Sequence, residues 1–422
     1  MSSGPPGGAG SGVSEPPEAS GPPPASPSLE RLDARREQRR RAAAKRRRRR
    51  RLLLLIGIPL LGFAAWAVIS YAAWMLKPTS ESFSARSVEW VRADVPFGNK
   101  IVDEVEHVYY TANAPKKNGA APKRLPAVGL SLARRNTGSR WPHRIRPVFA
   151  HPLPGEGVWK PTGPPINGGP PVLVATFRPE TEYPQLFAYV AWFDHTRTQI
   201  GYYPGRYEPP NAAVRGPEMV PESQRYRLLA TFNGGFTYED GENGSIVNGH
   251  VNEPLKDGKA TVVGYRDGRV AIVNWSGGPS AADVVWARQS LAPIVWDGRL
   301  NPELNEDPNS QAWGFTLGGV VRVWRTGVGI DRRGNLIFVA AEGQTVISIA
   351  KALQHIGAVR AMEFDINADW HTLIVYSHDH GFFPKMVEPQ PNDSPERYLV
   401  PDDRDFFAVY RPLPGPVTVP LR

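Results

Sequence analysis

The chain has no cysteine, which excludes disulfides and thiolate metal sites and leaves its stability to an ordinary core. It also lacks basic charge where a folded nucleic-acid surface would need it. The formal net charge is +9, yet residues 1–51 hold thirteen Arg or Lys against five acids, leaving about +1 for the remainder. The basicity belongs to a tail, and nucleic acid is not an expected partner. Large hydrophobes are almost missing from the first 28 residues, a Gly, Pro, Ser and Ala tract that reads as disordered. No internal repeat of fixed period is present, which argues against solenoids and propellers.

What is present begins with KRRRRRR (45–51), followed by LLLLIGIPLLGFAAWAVISYAAWML (52–76). These 25 uncharged residues would span roughly 37 Å as a helix, enough for a bilayer core with some tilt. Trp66, Tyr71 and Trp74 fall toward the far end, where an aromatic belt is expected. A cleaved signal peptide would be shorter and would end in small residues, for which SFSA (82–85) is a poor match. The Arg run sets the expected topology: a single-pass cell-membrane protein, N-terminus cytoplasmic and C-terminal part extracytoplasmic. The same run reads as a contact for anionic membrane lipids. The expected organisation is a disordered basic tail (1–51), a transmembrane helix (52–76), a juxtamembrane stalk or leading segment (77–150), a folded domain (151–412) and a Pro-rich tail (413–422).

From about 151 the pattern turns to strands. PVLVATF (171–177) and LFAYVAWF (186–193) are rich in β-branched and aromatic residues. Hairpin turns are expected at Asp267-Gly268, Asp297-Gly298 and Arg333-Gly334, each between apolar runs. One helix is clear in QTVISIAKALQHIGAV (344–359), with Thr345 as N-cap, Gly357 as C-cap and Val346, Ile349, Leu353 and Ile356 as its apolar stripe. The expected fold is α+β, mainly antiparallel β-sheet with a few packed helices.

Chemistry concentrates in a few stretches. MEFDINADWH (362–371) puts Glu363 and Asp365 on one face of a strand and Met362, Phe364 and Ile366 on the other. Its DINAD resembles a calcium loop, but Trp370 stands where the turn glycine belongs and Tyr376 where the final Glu belongs. Paired carboxylates suit acid/base work on a glycosidic bond, but adjacent acids on one strand need a partner such as Asp369 or Glu239. In LLATFNGGFTY (228–238) an apolar strand breaks at Asn233-Gly234-Gly235, where glycines let a ligand approach the main chain or simply form a turn. Arg325 in VWRTGVGID (323–331) suits a phosphate or carboxylate, or a structural pair with a buried acid. His378 and His380 share a strand face with His371 nearby, but no metal is expected.

In order and spacing, TFNGGF, TVVGYRDGRVAIVNW and WRTGVGIDRRGNLIFVAAEGQTVISIAKALQHIGAVRAMEFDINADW resemble the phosphodiester glycosidase family, the uncovering-enzyme-like domain, over roughly 170–411. Within it, the Arg-rich tail and single N-terminal helix resemble membrane-anchored actinobacterial members. The resemblance implies that Asn233 and Gly235 correspond to the family's Asn-Ala-Gly-Phe motif, Arg325 to its Arg-Thr/Ser-Gly motif and Asp365 to the Asp of Asp-Gly-Gly-Gly-Ser. This chain departs at the last, reading Asp365-Ile366-Asn367-Ala368-Asp369.

Two functions follow as expectations. One is a hydrolase of a glycosyl-phosphodiester in a cell-envelope glycan or glycolipid. In it Asp365 is general acid or base, Glu363 raises its pKa, Asp369 is a replacement partner, and Asn233, Gly234, Gly235, Arg325, Asn367 and His371 bind substrate. The other is a non-catalytic envelope protein of the same fold that binds glycan or wall partners. No cofactor is implied, the need for a divalent cation is left open, and the oligomeric state is not specified by the sequence.

Overall fold

The computed structural model describes residues 27–413 apart from 78, 80–81, 128–140, 242, 278–282, 308–309, 315–318 and 380. The Gly/Pro-rich leader to residue 26, the tail from 414 and His380 lie outside the described residues. The chain divides into two units, residues 1–69 and 70–422.

The first unit is helical. Helix α1 (Pro27–Met75) runs from the basic stretch through the apolar run without a break, Pro59 included, and its last residues belong to the second unit. Its apolar side chains, such as Leu53 and Leu55, are exposed. It is the one helix among the described residues long and apolar enough to cross a membrane.

In the second unit the segment expected to be a stalk contains two helices, α2 (Phe83–Asp94) and α3 (Gly98–Ala112). Ser82 caps α2 by accepting from the Ala85 N–H at 3.2 Å. The strands follow: β1 (Lys160–Pro161), β2 (Val172–Phe177), β3 (Ala188–Phe193), β4 (Gln199–Tyr203) and β5 (Leu228–Asn233). A short helix α4 (Tyr238–Gly241) precedes β6 (Ser245–Val247), β7 (His250–Glu253), β8 (Ala260–Tyr265), β9 (Val270–Asn274) and β10 (Val284–Gln289). Then come β11 (Val295–Trp296), β12 (Arg299–Leu300), β13 (Val323–Asp331), β14 (Leu336–Gln344), α5 (Val346–Ile356) and β15 (Ala358–Glu363). The chain ends with β16 (Leu373–Ser377), β17 (Phe383–Met386) and β18 (Phe406–Tyr410).

All pairings are antiparallel, in an eight-stranded sheet β1-β2-β3-β14-β13-β15-β11-β12 and two five-stranded sheets, β7-β6-β10-β8-β9 and β17-β16-β5-β18-β4. The α+β expectation is met, and the three expected hairpins are β8–β9, β11–β12 and β13–β14. At the β11–β12 turn Asp297 and Gly298 both take positive φ, 50° and 75°, as a tight two-residue hairpin requires.

The large sheet is the central layer because its strands are apolar on both faces. On β2, Val172 and Val174 enter one core with Phe232, Phe338, Phe364 and Phe407, while Leu173, Ala175 and Phe177 enter another with Ile349 and Leu353 of α5. Fully burying a side chain such as Leu353 contributes about 1.5–3 kcal/mol. Helix α5 keeps both expected caps: Thr345 and Ser348 form a reciprocal capping box, and Gly357 closes the helix at φ 114°. The glycines of β13 serve this packing. A Cβ on Gly329 would lie 2.6 Å from that of Ala358, and one on Gly327 would lie 3.2 Å from Leu353 Cδ1.

Candidate active site

The β5 strand ends at Asn233 beside β13 and the exit of β15. There the Phe364 N–H donates to the Thr326 carbonyl and the Thr326 N–H donates to the Asp365 carbonyl, both at 2.8 Å. The Thr326 hydroxyl accepts from Asn233 Nδ2 at 2.9 Å and from the Asp365 N–H at 3.1 Å. Asn233 Oδ1 in turn accepts from the Thr372 N–H at 3.1 Å. One buried hydroxyl therefore ties together the two motif residues that the sequence reading proposed for one site.

Asp365 is held by both oxygens. Oδ2 accepts from Arg404 Nη2 at 2.8 Å, and Oδ1 accepts from the Asn367 N–H at 2.9 Å. The same Arg404 nitrogen donates to the Gly235 carbonyl at 3.1 Å, and the guanidinium lies 4.8 Å from the centre of the Trp370 ring. Burial pushes the Asp365 pKa up, while Arg404 and the N–H groups of Asn367 and Ile366 pull it back. Glu363, expected to raise it, is not among the leading causes.

Behind this pair stands a second. Asp405 Oδ2 accepts from Arg288 Nε and, at 2.9 Å, from the Tyr202 hydroxyl. Arg288 also donates to the carbonyls of Gln289 and Phe236, so it fixes the turn that follows Gly235. Gly234 is required here: a Cβ would sit 2.5 Å from Asp405 Oδ1. At Gly235 the nearest atoms, Arg288 Cζ and the Phe364 carbonyl oxygen, are 3.5 Å away, ordinary contact.

The remaining expected residues lie elsewhere. Arg325 follows the alternation of β13 to the side opposite Trp324, where it is buried and makes four hydrogen bonds within the protein. It donates to Glu363 and to the carbonyls of Gln344 at 2.8 Å, Trp313 at 3.3 Å and Val321 at 3.2 Å. Glu363 is thus the buried acid that Arg325 neutralises, and its pKa is raised by burial against that pairing. Glu363 at the end of β15 and Asp365 just beyond it thus each have their own arginine. A small surface cleft lies on the Arg325 side, lined by Trp313, Thr345 and Glu306.

Asp369 accepts from Asn392 Nδ2 at 3.0 Å, and its N–H donates to Asn367 Oδ1 at 2.9 Å. Asn367 therefore builds the turn from Asp365 with both its main chain and its side chain. His371 stacks on Trp324 with ring centres 3.8 Å apart. Burial lowers its pKa to about 3, so it is neutral. Its Nδ1 lies 3.8 Å from Oε1 of buried Glu388, which accepts from the Leu373 N–H at 2.6 Å and whose pKa burial raises to about 8.

Asn233, Gly234, Gly235, Asp365 and Asn367 come together, then, while Arg325 with Glu363, His371, and the Asp369 carboxylate engage other partners. The Glu239 side chain lies outside the described residues. Thr326, Arg404, Asp405, Arg288 and Glu388 were missed. PDDRDFF (401–407) carried a signal for two of them, since four charged residues directly before an apolar strand need buried partners. No group of three or more His, Asp or Glu among the described residues is arranged to hold a metal.

Residues 226–365 match the family model for phosphodiester glycosidases. That match begins just before β5 and ends on Asp365, so it includes Asn233, Thr326 and Asp365 but not Arg404, Asp405 or Glu388. Two solved structures are similar at low identity. The catalytic domain of zebrafish N-acetylglucosamine-1-phosphodiester alpha-N-acetylglucosaminidase, described as auto-inhibited by its pro-peptide, is 15% identical. The likeness covers 59% of this chain and 86% of that one, with a TM-score of 0.41. A protein from Synechocystis is 13% identical over 59% of this chain and 64% of its own, with a TM-score of 0.35. No curated protein matches. The phosphodiester glycosidase match places Asp365 at its last residue and Asn233 near its first, and Thr326 joins them in space.

Proposed function

We propose that this protein is a membrane-anchored hydrolase of a glycosyl-phosphodiester, acting outside the cytoplasm on a cell-envelope glycan or glycolipid. The observation that carries the reading is the pairing of Asp365, the last residue of the matched segment, with Arg404, braced on Asn233 through Thr326. Hydrolysis breaks the bond between the anomeric carbon and the phosphate oxygen, and the oxygen of water joins the carbon. The leaving group is a phosphate monoester with a second pKa of about 6, so it departs as an anion and needs a cation more than a strong acid. Arg404 supplies that cation, and Asp365 takes the proton of the attacking water. One carboxylate then suffices, in place of the two that a neutral leaving group requires. The Gly234–Gly235 main chain, held by the Asn233 amide through the Gly234 carbonyl, positions the sugar. In this reading Arg404 replaces Arg325 as the phosphate-binding residue, because Arg325 is buried and committed to Glu363 and three main-chain carbonyls.

The test uses the full chain in detergent or nanodiscs with a panel of glycosyl-phosphodiesters. Sugar release by the wild type, abolished in Asp365→Asn with an unchanged melting temperature, supports the proposal. An inert wild type, or a variant that merely unfolds, sinks it. A second reading, a glycan-binding protein without catalysis, is favoured by one observation: both Asp365 oxygens already hold partners, in a turn built by Asn367 instead of glycines. Glycan binding by wild type and Asp365→Asn alike, without hydrolysis, would select it.

A further inference from the structure

We propose that helix α3 lies on the membrane surface, with an apolar face docked on lipid beside the transmembrane run. The inference rests on reading 52–76 as a membrane span, and concerns a surface outside the candidate site. Phe97, Ile101, Val105, Val108 and Tyr109 follow helical spacing and are 49–77% exposed, an unusual state for five large apolar residues in a row. At 100° per residue, the four within the helix occupy an arc of about 100°. One flank holds buried Val102, about 20° beyond Tyr109, then Glu106 and Tyr110, both partly covered by the protein, and the other flank carries exposed Glu104 and Lys100. Such a stripe, with one flank packed on the protein and the other charged, is the pattern of a helix lying in the interfacial plane.

The local geometry says what covers it. Helix α2 runs back along the last turns of α1: Arg86 Nη1 donates to the Met75 carbonyl at 2.7 Å, Tyr71 OH meets Ser87 Oγ at 3.0 Å, and Trp90 Nε1 donates to Ser70 Oγ at 3.0 Å. Asp94, the last residue of α2, bonds Ser70 and accepts from Trp74 Nε1 at 3.1 Å. Asp94, three residues before Phe97, therefore lies alongside Ser70–Trp74, about 3–9 Å before the end of the apolar run at Leu76 at 1.5 Å per residue. That range overlaps the depth at which an interfacial helix buries its apolar face, about 5–10 Å. Trp74, with the Lys77 ammonium 3.2 Å from its ring centre, marks the same boundary. Lipid is thus the occupant that continuity with the span supplies, ahead of a second copy of the chain.

The absence of cysteine makes the test direct. The full chain carrying Val105→Cys, labelled with a polarity-sensitive fluorophore, is reconstituted in phosphatidylcholine–phosphatidylglycerol vesicles, with Val108→Cys as a second site and Glu104→Cys as the polar-flank control. The expected result is blue-shifted emission at 105 and 108 that falls at least two-fold when the lipid acyl chains are brominated, and iodide quenching at 104. Iodide quenching at 105 and 108 overturns the proposal. So does shielding there without bromine quenching, accompanied by cross-linking between copies. Carbonate extraction separates the two readings: a chain that resists extraction but fails the bromine test refutes the surface alone, and a chain that is released refutes the span beneath it.

Discussion

Arg404 donates from one nitrogen to Asp365 Oδ2, at 2.8 Å, and to the Gly235 carbonyl, at 3.1 Å. The loop before the last strand thereby closes a site whose Asn233, Gly235, Thr326 and Asp365 come from the matched segment. Arg404→Met should lower the rate of glycosyl-phosphodiester hydrolysis by about 10²–10³-fold, the usual cost of removing a preorganised charge partner. It should also destabilise the fold by about 3–5 kcal/mol, because Asp365 would be left buried without its cation. Arg404→Lys keeps charge but loses the planar guanidinium that lies over Trp370, and is expected to recover stability more than rate. Steady-state kinetics with urea unfolding would check both; an unaltered rate in Arg404→Met would remove Arg404 from the mechanism.

Thr326 offers a test of the bridge itself. Its hydroxyl accepts from Asn233 Nδ2 and from the Asp365 N–H, so Thr326→Val leaves two buried donors without an acceptor at nearly constant volume. A loss of about 1–3 kcal/mol is expected. Activity should fall in the valine variant and return in Thr326→Ser, which restores the oxygen. A serine variant as impaired as valine would show that the methyl group, not the bridge, matters.

The fold was largely legible because it is written in local signals. Alternating apolar runs broken at Asp267-Gly268, Asp297-Gly298 and Arg333-Gly334 gave hairpins at those places, and the caps of α5 are Thr345 and Gly357 as read. The Asn233–Asp365 association was legible only through motif order, because its bridging hydroxyl looks like any strand threonine. Arg325 and Glu363 carried the same composition signal as Arg404 and Asp365: an arginine and an acid among apolar residues. Which arginine meets which acid depends on strand register and face, and those are set by pairing between distant strands. Helix α3 was missed because its Lys, Asn and Glu mask an apolar stripe that points outward, and α2 because Arg and Glu interrupt its short apolar face.

The pH dependence of stability has two opposed contributions from one buried pair. Glu388 is raised from its ordinary value of 4.5 to about 8, so its contribution is full below about pH 4.5 and is lost as pH rises through 8. His371 is lowered from 6.5 to about 3, so its contribution is full above about pH 6.5 and is lost as pH falls through 3. Each slope is at most about 1.4 kcal/mol per pH unit, so the two offset each other between 4.5 and 6.5, and Glu388 acts alone above that. Glu388→Gln, which keeps an oxygen for the Leu373 N–H, should therefore gain about 2 kcal/mol on the wild type between pH 6.5 and 8. Urea unfolding at the two pH values measures this, and parallel curves for the two proteins would contradict a protonated Glu388.

Gly234 and Gly235 separate a structural glycine from one reserved for a ligand. Alanine at 234 would place its Cβ 2.5 Å from Asp405 Oδ1 and 2.7 Å from the Asp405 carbonyl oxygen, and main chain on that side cannot yield cheaply. Gly234→Ala should destabilise the fold by about 1–3 kcal/mol, the usual cost of overpacking, and disturb the Arg288–Asp405 pair. Alanine at 235 meets nothing closer than 3.5 Å, and that residue is not among those with positive φ, so Gly235→Ala should fold with wild-type stability. If the sugar-phosphate approaches the main chain here, that added methyl is expected to raise KM at least ten-fold while Tm stays fixed. Wild-type KM in a normally folded Gly235→Ala would move the substrate away from this turn, and the site would then have to be rebuilt around Asp365 and Arg404 from the opposite side.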